Sequence, residues 1–500
     1  MKYSNPVIPG FHPDPSWCRV GDDYYLVTSS FEYFPGVPVF HSRDLVHWKH
    51  IGHCLTRASQ LLLQGARSSG GIYAPTIRCH QGRFFMVTTN VTGGGHFLVT
   101  SREPCGGWSE PVWIAGTGID PSLFFDDDGK VYLSYSSDGI VQREIDPVSG
   151  LVGVERLVWK GTGGQYPEGP HLYRIHGQYY LLISEGGTEY GHMLTIARSP
   201  TPWGPFEPCP RNPILSHRSL SSPIQATGHG DFLQDGNGNW WVVFLGIRPN
   251  GHRPYHHLGR ETFLAPVYWD VDGWPVIGSD GRVAIEMSGP TPPQHPWPAL
   301  PERDDFDRKP LGLQWNFLRN PNEQSWSLDE RPGWLRLHGT ATSLDEIASP
   351  AWIGRRLEHF EVRAAVRLDF EPRFDNECAG MSVWMNEKHH YDLFLSIRGG
   401  KRCLVVRRRI GTLVAEVAQR GVGPGPVILR IDAGRDLFCF RGGYESAQSE
   451  ELATGESRYV ATEVAGGFTG LYLAMFSSGN GRPCSSQADF DWFEYIPQAP

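Results

Sequence analysis

Asp14, Asp120 and Glu168 are carboxylates, His229 is an imidazole, and each sits where the chain enters the same kind of segment. Asp14 lies in Asn5-Pro-Val-Ile-Pro-Gly-Phe-His-Pro-Asp-Pro-Ser16, ahead of Trp17 to Ser30, which reads as strand, Gly-Asp-Asp turn and strand. The two flanking prolines are expected to hold Asp14 in extended backbone, since a residue before proline is pushed out of the helical region. Ala74-Pro-Thr-Ile77, Asp120-Pro-Ser-Leu123, Gly169-Pro-His-Leu172 and His229-Gly-Asp-Phe232 introduce four further strand–turn–strand units, with Glu168 beside Gly169. Several carboxylates in one place suit glycoside hydrolysis, where one acid protonates the leaving oxygen and one carboxylate activates water or attacks carbon. A third negative charge near the acid would raise its pKa and hold its proton at neutral pH. An ion site is the other chemistry open to Asp14, Asp120, Glu168 and His229. Calcium would want more oxygens, and zinc more His or Cys.

Only a fold that gathers distant positions can bring these side chains together. Positions 14, 74, 120, 169 and 229 are separated by 60, 46, 49 and 60 residues. A period near ~50 with several strands per copy is the signature of a β-propeller, and five copies predict five blades. The first strand of each blade lines the central channel. Residues at the start of that strand therefore converge on one end of the axis, and the converging set is Asp14, Ala74, Asp120, Gly169 with Glu168, and His229. Phe31 and Tyr73 lie close to this column and suit the faces of sugar rings; Arg260, in Gly259-Arg-Glu-Thr262, suits hydroxyls.

The surrounding composition agrees with an all-β chain of two domains. The 500 residues exceed what one core usually serves, Gly (59) and Pro (40) abound, and no long stretch carries a helical period. A five-bladed propeller is expected over 1–287. A Pro-rich linker follows over 288–303, then a β-sandwich over 304–500. In the last region Phe360, Val362, Ala364, Val366, Leu368 and Phe370 alternate with mostly charged residues, so one strand face is wet. Similar strands are expected at 333–338, 390–397, 403–409, 427–431 and 470–476. Pairing of the first and last strands would explain the related phrases Asp305-Phe-Asp307 and Asp489-Phe-Asp491. A net charge of −9 without a basic stripe argues against nucleic acid, and the longest apolar run, Trp240 to Ile247, is too short to span a bilayer. Nine cysteines in odd number and without metal-binding spacing point to free thiols in a reducing, cytoplasmic setting.

Asn5 to Ser16, Tyr73-Ala-Pro-Thr76, Asp120-Pro-Ser122, Glu168-Gly-Pro-His171, Thr227-Gly-His229 and Gly259-Arg-Glu-Thr262 closely resemble glycoside hydrolase family 43, the β-xylosidase type with a C-terminal sandwich. Phe468-Thr-Gly470 and Ala488 to Asp491 extend the resemblance into the second domain. The resemblance implies an inverting exo-enzyme on short xylo-oligosaccharides. Asp14 would be the general base, Glu168 the general acid, and Asp120 the residue that tunes and orients it. His229, Arg260, Phe31, Tyr73 and Ala74 would line the sugar pocket, with Phe468 reaching across from the sandwich to close it. Inversion would separate the Asp14 and Glu168 carboxyls by roughly 6.5–9.5 Å. No cofactor is required on this reading, although the resemblance admits calcium at the axis through His229. The partner would be a small oligosaccharide, with a homo-oligomer left open. Tyr73 replaces the Trp of many such β-xylosidases, which keeps α-L-arabinofuranosidase activity as the nearest alternative. A non-catalytic sugar-binding propeller is the alternative of another class; it would have no use for an acid/base set.

Overall fold

The computed structural model describes residues 1–252, 254–444 and 450–498. Five antiparallel sheets follow one another in chain order, each running strand by strand from first to last. Their first strands are Ser16–Val20, Thr76–His80, Ile119–Phe125, Glu168–Ile175 and Gln225–Gln234. Each turns back into an apolar second strand, such as Arg83–Asn90 or Trp240–Ile247, which is buried along almost its whole length. The hinge of that turn is a glycine in every blade. Gly21, Gly82, Gly129, Gly177 and Gly238 have φ between +63° and +86°, a region closed to most side chains. The expected repeat is thus realised as a five-bladed propeller.

The ring is closed by the start of the chain. Lys2–Ser4 pairs with Glu286–Ser288, and the Asn5 side chain accepts from Leu264 N–H at 2.9 Å while donating to the Leu264 carbonyl at 3.0 Å. The Pro-rich stretch begins after Ser288, which still pairs with Lys2. It lies against blade one: His295 N–H donates to Asp44, and the Trp297 ring packs on His41 and Lys49.

Two large antiparallel sheets make the second domain. The alternating residues from Phe360 to Phe370 are all buried between them, as the pattern required. First and last strands do pair, Arg303–Asp304 against Phe493 and Glu494. The expected strands appear as Leu335–His338, His389–Arg398, Lys401–Ile410, Val427–Ala433 and Tyr472–Ser478. Ala351–Arg356, Cys378–Asn386, Leu413–Gly421, Leu437–Gly443 and Glu450–Glu456 are further strands that the sequence reading did not separate. Cys378–Asn386 is buried along its whole length, so no alternation marks it.

The two domains share a sheet. Tyr33–Phe34, which leaves blade one, pairs with Asn316–Leu318 at the edge of a sandwich sheet. Tyr33 stacks on Tyr472 at 4.1 Å, and Phe11, Phe31, Trp352 and Trp384 complete one apolar cluster across the seam. Arg356 of the sandwich donates to the Phe11 carbonyl at 2.8 Å. All nine cysteines are free thiols.

Candidate active site

Four of the five column positions share an unusual backbone. Asp14, Asp120, Gly169 and His229 have φ of +56°, +57°, +58° and +48°. Strand pairing slips at the last three, between Ile119 and Ser122, Glu168 and His171, and Gly228 and Asp231. A bulge of this kind re-aims a side chain off the face of its sheet. Here it turns the side chains of the column toward the propeller axis. The extended geometry expected for Asp14 is therefore not what is found. Its prolines disfavour the right-handed helical region, but side-chain contacts select the positive-φ well, at a cost of about 1–3 kcal/mol per non-glycine residue.

Those contacts keep Asp14 charged. Arg260 Nη1 donates to Asp14 Oδ1 at 2.9 Å, Ser29 Oγ donates to Oδ2 at 2.5 Å, and His229 Nδ1 stands 3.8 Å from Oδ1. Burial alone would raise the pKa of Asp14. The charges of Arg260 and His229 and the Ser29 hydrogen bond outweigh it, so the carboxyl lies below its ordinary value. Asp120 is the opposite case. Burial, then the negative charges of Glu168 and Asp14, push its pKa well above its ordinary value, against the N–H that Gly169 donates at 3.1 Å and the charge of Arg260. The two buried aspartates are thus shifted in opposite directions, Asp14 down and Asp120 up.

Glu168 is the most accessible of the three, its side chain 18% exposed, and it faces His192 Nε2 at 3.5 Å. His192 is itself buried and lies so close to Gly228 that a side chain there would collide with its ring. His229 is buried, its backbone N–H donates to Ser184 Oγ at 2.6 Å, and burial lowers its pKa against the pull of Asp14 and Glu168. Beneath the column, Asp231 accepts from Arg78, Ser16 and Tyr173 at 2.8, 2.7 and 2.6 Å and fills the axis.

Three rings form the walls. Phe31 lies 5.3 Å from Tyr73 and 6.1 Å from Phe468, and Tyr73 meets Phe468 edge-on at 6.3 Å. The Arg260 guanidinium sits 5.6 Å from both the Phe31 and Phe468 rings and donates through Nε to the Phe468 carbonyl at 3.2 Å. Phe468 is 36% exposed, which fits a ring facing an opening better than one in a packed core. Ala74 is buried next to Tyr73 and offers only a methyl group. Ser29, Thr188 and His192 were not singled out by sequence. Thr188 and His192 lie on one loop after the second strand of blade four, where Thr188 accepts from Arg260 at 3.1 Å. Nothing in a lone Ser or His marked them. Among the described residues, no group of three or more His, Cys, Asp or Glu side chains is placed to hold a metal ion.

Three carboxyl groups gathered where the blades converge, two of them buried and shifted in opposite directions, with an arginine and aromatic walls, fit a glycoside hydrolase. Comparison with known proteins is specific. Residues 3–275 match the model of Glycosyl hydrolases family 43, and 303–496 match that of the Beta xylosidase C-terminal Concanavalin A-like domain. The chain belongs to glycosyl hydrolase family 43. It is 48% identical to a non-reducing end alpha-L-arabinofuranosidase of Bacteroides ovatus, over 99% of this chain and 94% of that one. It is 40% identical to a xylosidase/arabinosidase of Butyrivibrio fibrisolvens, over 98% of each. The solved structure of a Bacteroides ovatus xyloglucan PUL GH43B protein superposes with a TM-score of 0.97 at 46% identity, covering all of both chains.

Proposed function

We propose that this protein is an inverting exo-glycosidase that releases xylose from the non-reducing end of short β-1,4-xylo-oligosaccharides. The observation that carries it is the gathering of Asp14, Asp120 and Glu168 in one site, with the Asp14 carboxyl shifted down beside Arg260 and the Asp120 carboxyl shifted up beside Glu168. Glu168 donates its proton to the glycosidic oxygen as the bond to the anomeric carbon breaks. Asp14 takes a proton from a water attacking that carbon on the opposite face. Asp120, whose pKa is raised beside Glu168, orients that acid. Arg260 keeps Asp14 charged and, with His229, faces the sugar hydroxyls. Phe31, Tyr73 and Phe468 enclose the ring, and the blocked axis under them restricts the site to a chain end. The free cysteines support a cytoplasmic setting.

Removal of a terminal α-L-arabinofuranose is the second reading. It is favoured by the name of the 48% identical relative and by Tyr73, whose ring is smaller than tryptophan. One experiment addresses both sugar and stereochemistry: proton NMR of the first-formed anomer from xylobiose and from an arabinofuranoside, with rates for each. α-Xylose as the first product, released faster than arabinose, is the expected result. β-Xylose appearing first would exclude inversion, and faster arabinose release would favour the second reading.

Dialysis against EDTA is expected to leave kcat/KM unchanged, since the described side chains offer no metal cluster. A loss of rate restored by added calcium would reinstate an axial ion.

A further inference from the structure

Residues 31–34 pass from the pocket into the sandwich within four positions. Phe31 is a wall of the pocket, Tyr33–Phe34 belongs to the sandwich sheet, and Glu32 between them is fully buried. Glu32 Oε2 accepts from Ser69 N–H at 2.9 Å, and Ser69 Oγ accepts from Phe468 N–H at 2.8 Å. The segment 69–73 ends on Tyr73, and Phe31 exchanges backbone hydrogen bonds of 2.9 and 3.1 Å with Ile72. All three wall rings are therefore tied to one carboxylate, Phe31 by the chain itself, Phe468 through Ser69, and Tyr73 through the same segment.

Glu32 lies beside the buried cation Arg319, whose charge favours the carboxylate although no side-chain hydrogen bond joins them. Arg319, the neighbouring cation, donates through its backbone N–H to the Glu32 carbonyl, and uses Nε and Nη1 on the carbonyls of Ala66 and Ala348. Glu32 Oε1 has no donor among the described residues. Burial pushes the Glu32 carboxyl up to about 7, which shows how incompletely its surroundings compensate the charge. An apolar residue would fill the space without that penalty, but it could not hold Ser69.

We propose that Glu32 is a positioning residue: acting through Ser69, it fixes Phe468 over the terminal sugar and so sets how tightly that sugar is held. The proposal rests on the sugar-pocket reading of this site. Phe468 touches the sugar before and during reaction alike, so loosening it weakens binding and leaves the chemical step intact.

The test compares Ser69→Ala, Glu32→Ala and Glu32→Gln on nitrophenyl β-xyloside, with Kd for free xylose by calorimetry. Losing one hydrogen bond of ordinary strength corresponds to a change of roughly two- to tenfold. Ser69→Ala and Glu32→Ala are expected to raise KM and Kd by about that factor with kcat little changed, while Glu32→Gln, which keeps an oxygen for Ser69 N–H, restores both. Unchanged KM and Kd in folded Ser69→Ala would overturn the proposal, as would a fall in kcat that only tracks the folded fraction. Should Glu32→Ala fail to fold, Ser69→Ala decides alone. A wild-type protein that hydrolyses neither glycoside would sink the catalytic reading, whereas the xylose Kd of Ser69→Ala would still judge Glu32.

Discussion

Glu168→Gln is expected to slow hydrolysis of xylobiose by roughly 10²–10⁴-fold, the usual worth of a positioned general acid. Glutamine keeps the shape and the contact with His192 but has no proton to give a departing alkoxide. The loss should shrink with leaving-group acidity. A dinitrophenyl xyloside, whose phenolate leaves unaided, is expected to retain most of its rate, and KM for both substrates should stay close to wild type. The pH profile gives an independent readout. Burial and the neighbouring negative charges raise the pKa of Asp120, so activity is expected to fall as pH rises through the titration of that carboxyl. Removing the acid should flatten that alkaline limb for the activated substrate. Equal losses on xylobiose and the dinitrophenyl xyloside would show that Glu168 is not the proton donor.

Asp14→Asn should cost as much, about 10²–10⁴-fold, but evenly across leaving groups. The attacking water needs its proton taken whatever departs on the other side. Arg260 would lose the partner 2.9 Å away, and its charge would face a neutral amide. Wild-type Asp14 is held below the ordinary aspartate pKa by Arg260 and His229, so the base stays ionised as pH falls. The acid limb of kcat/KM is accordingly expected below about 4, the reference aspartate value. Near-normal turnover of xylobiose by Asp14→Asn, or a leaving-group dependence like that of Glu168→Gln, would reassign the base.

Much of this architecture can be read without coordinates because it is written as repetition. Five similar phrases at a pitch near fifty residues, each with a turn glycine, suffice for a five-bladed ring and for the convergence of Asp14, Asp120, Glu168 and His229. The alternating residues from Phe360 to Phe370 likewise place one sandwich strand and its buried face. Patterns of this kind are local, and each copy reports on the others.

What remained hidden depends on contacts between segments far apart in the chain. The positive φ of Asp14 is set by Arg260 and Ser29, not by its own prolines. His192 meets Glu168 only because blade four folds one loop over the axis, and Tyr33–Phe34 reads as propeller until it pairs with Asn316–Leu318. The opposite pKa shifts of Asp14 and Asp120 were likewise beyond sequence. Both are aspartates followed by Pro-Ser at the head of a blade, and only the tertiary structure gives one an arginine and the other two negative neighbours. Residue type and spacing determined which groups meet; burial and the charges that surround Asp14 and Asp120 decided which way each carboxyl is shifted.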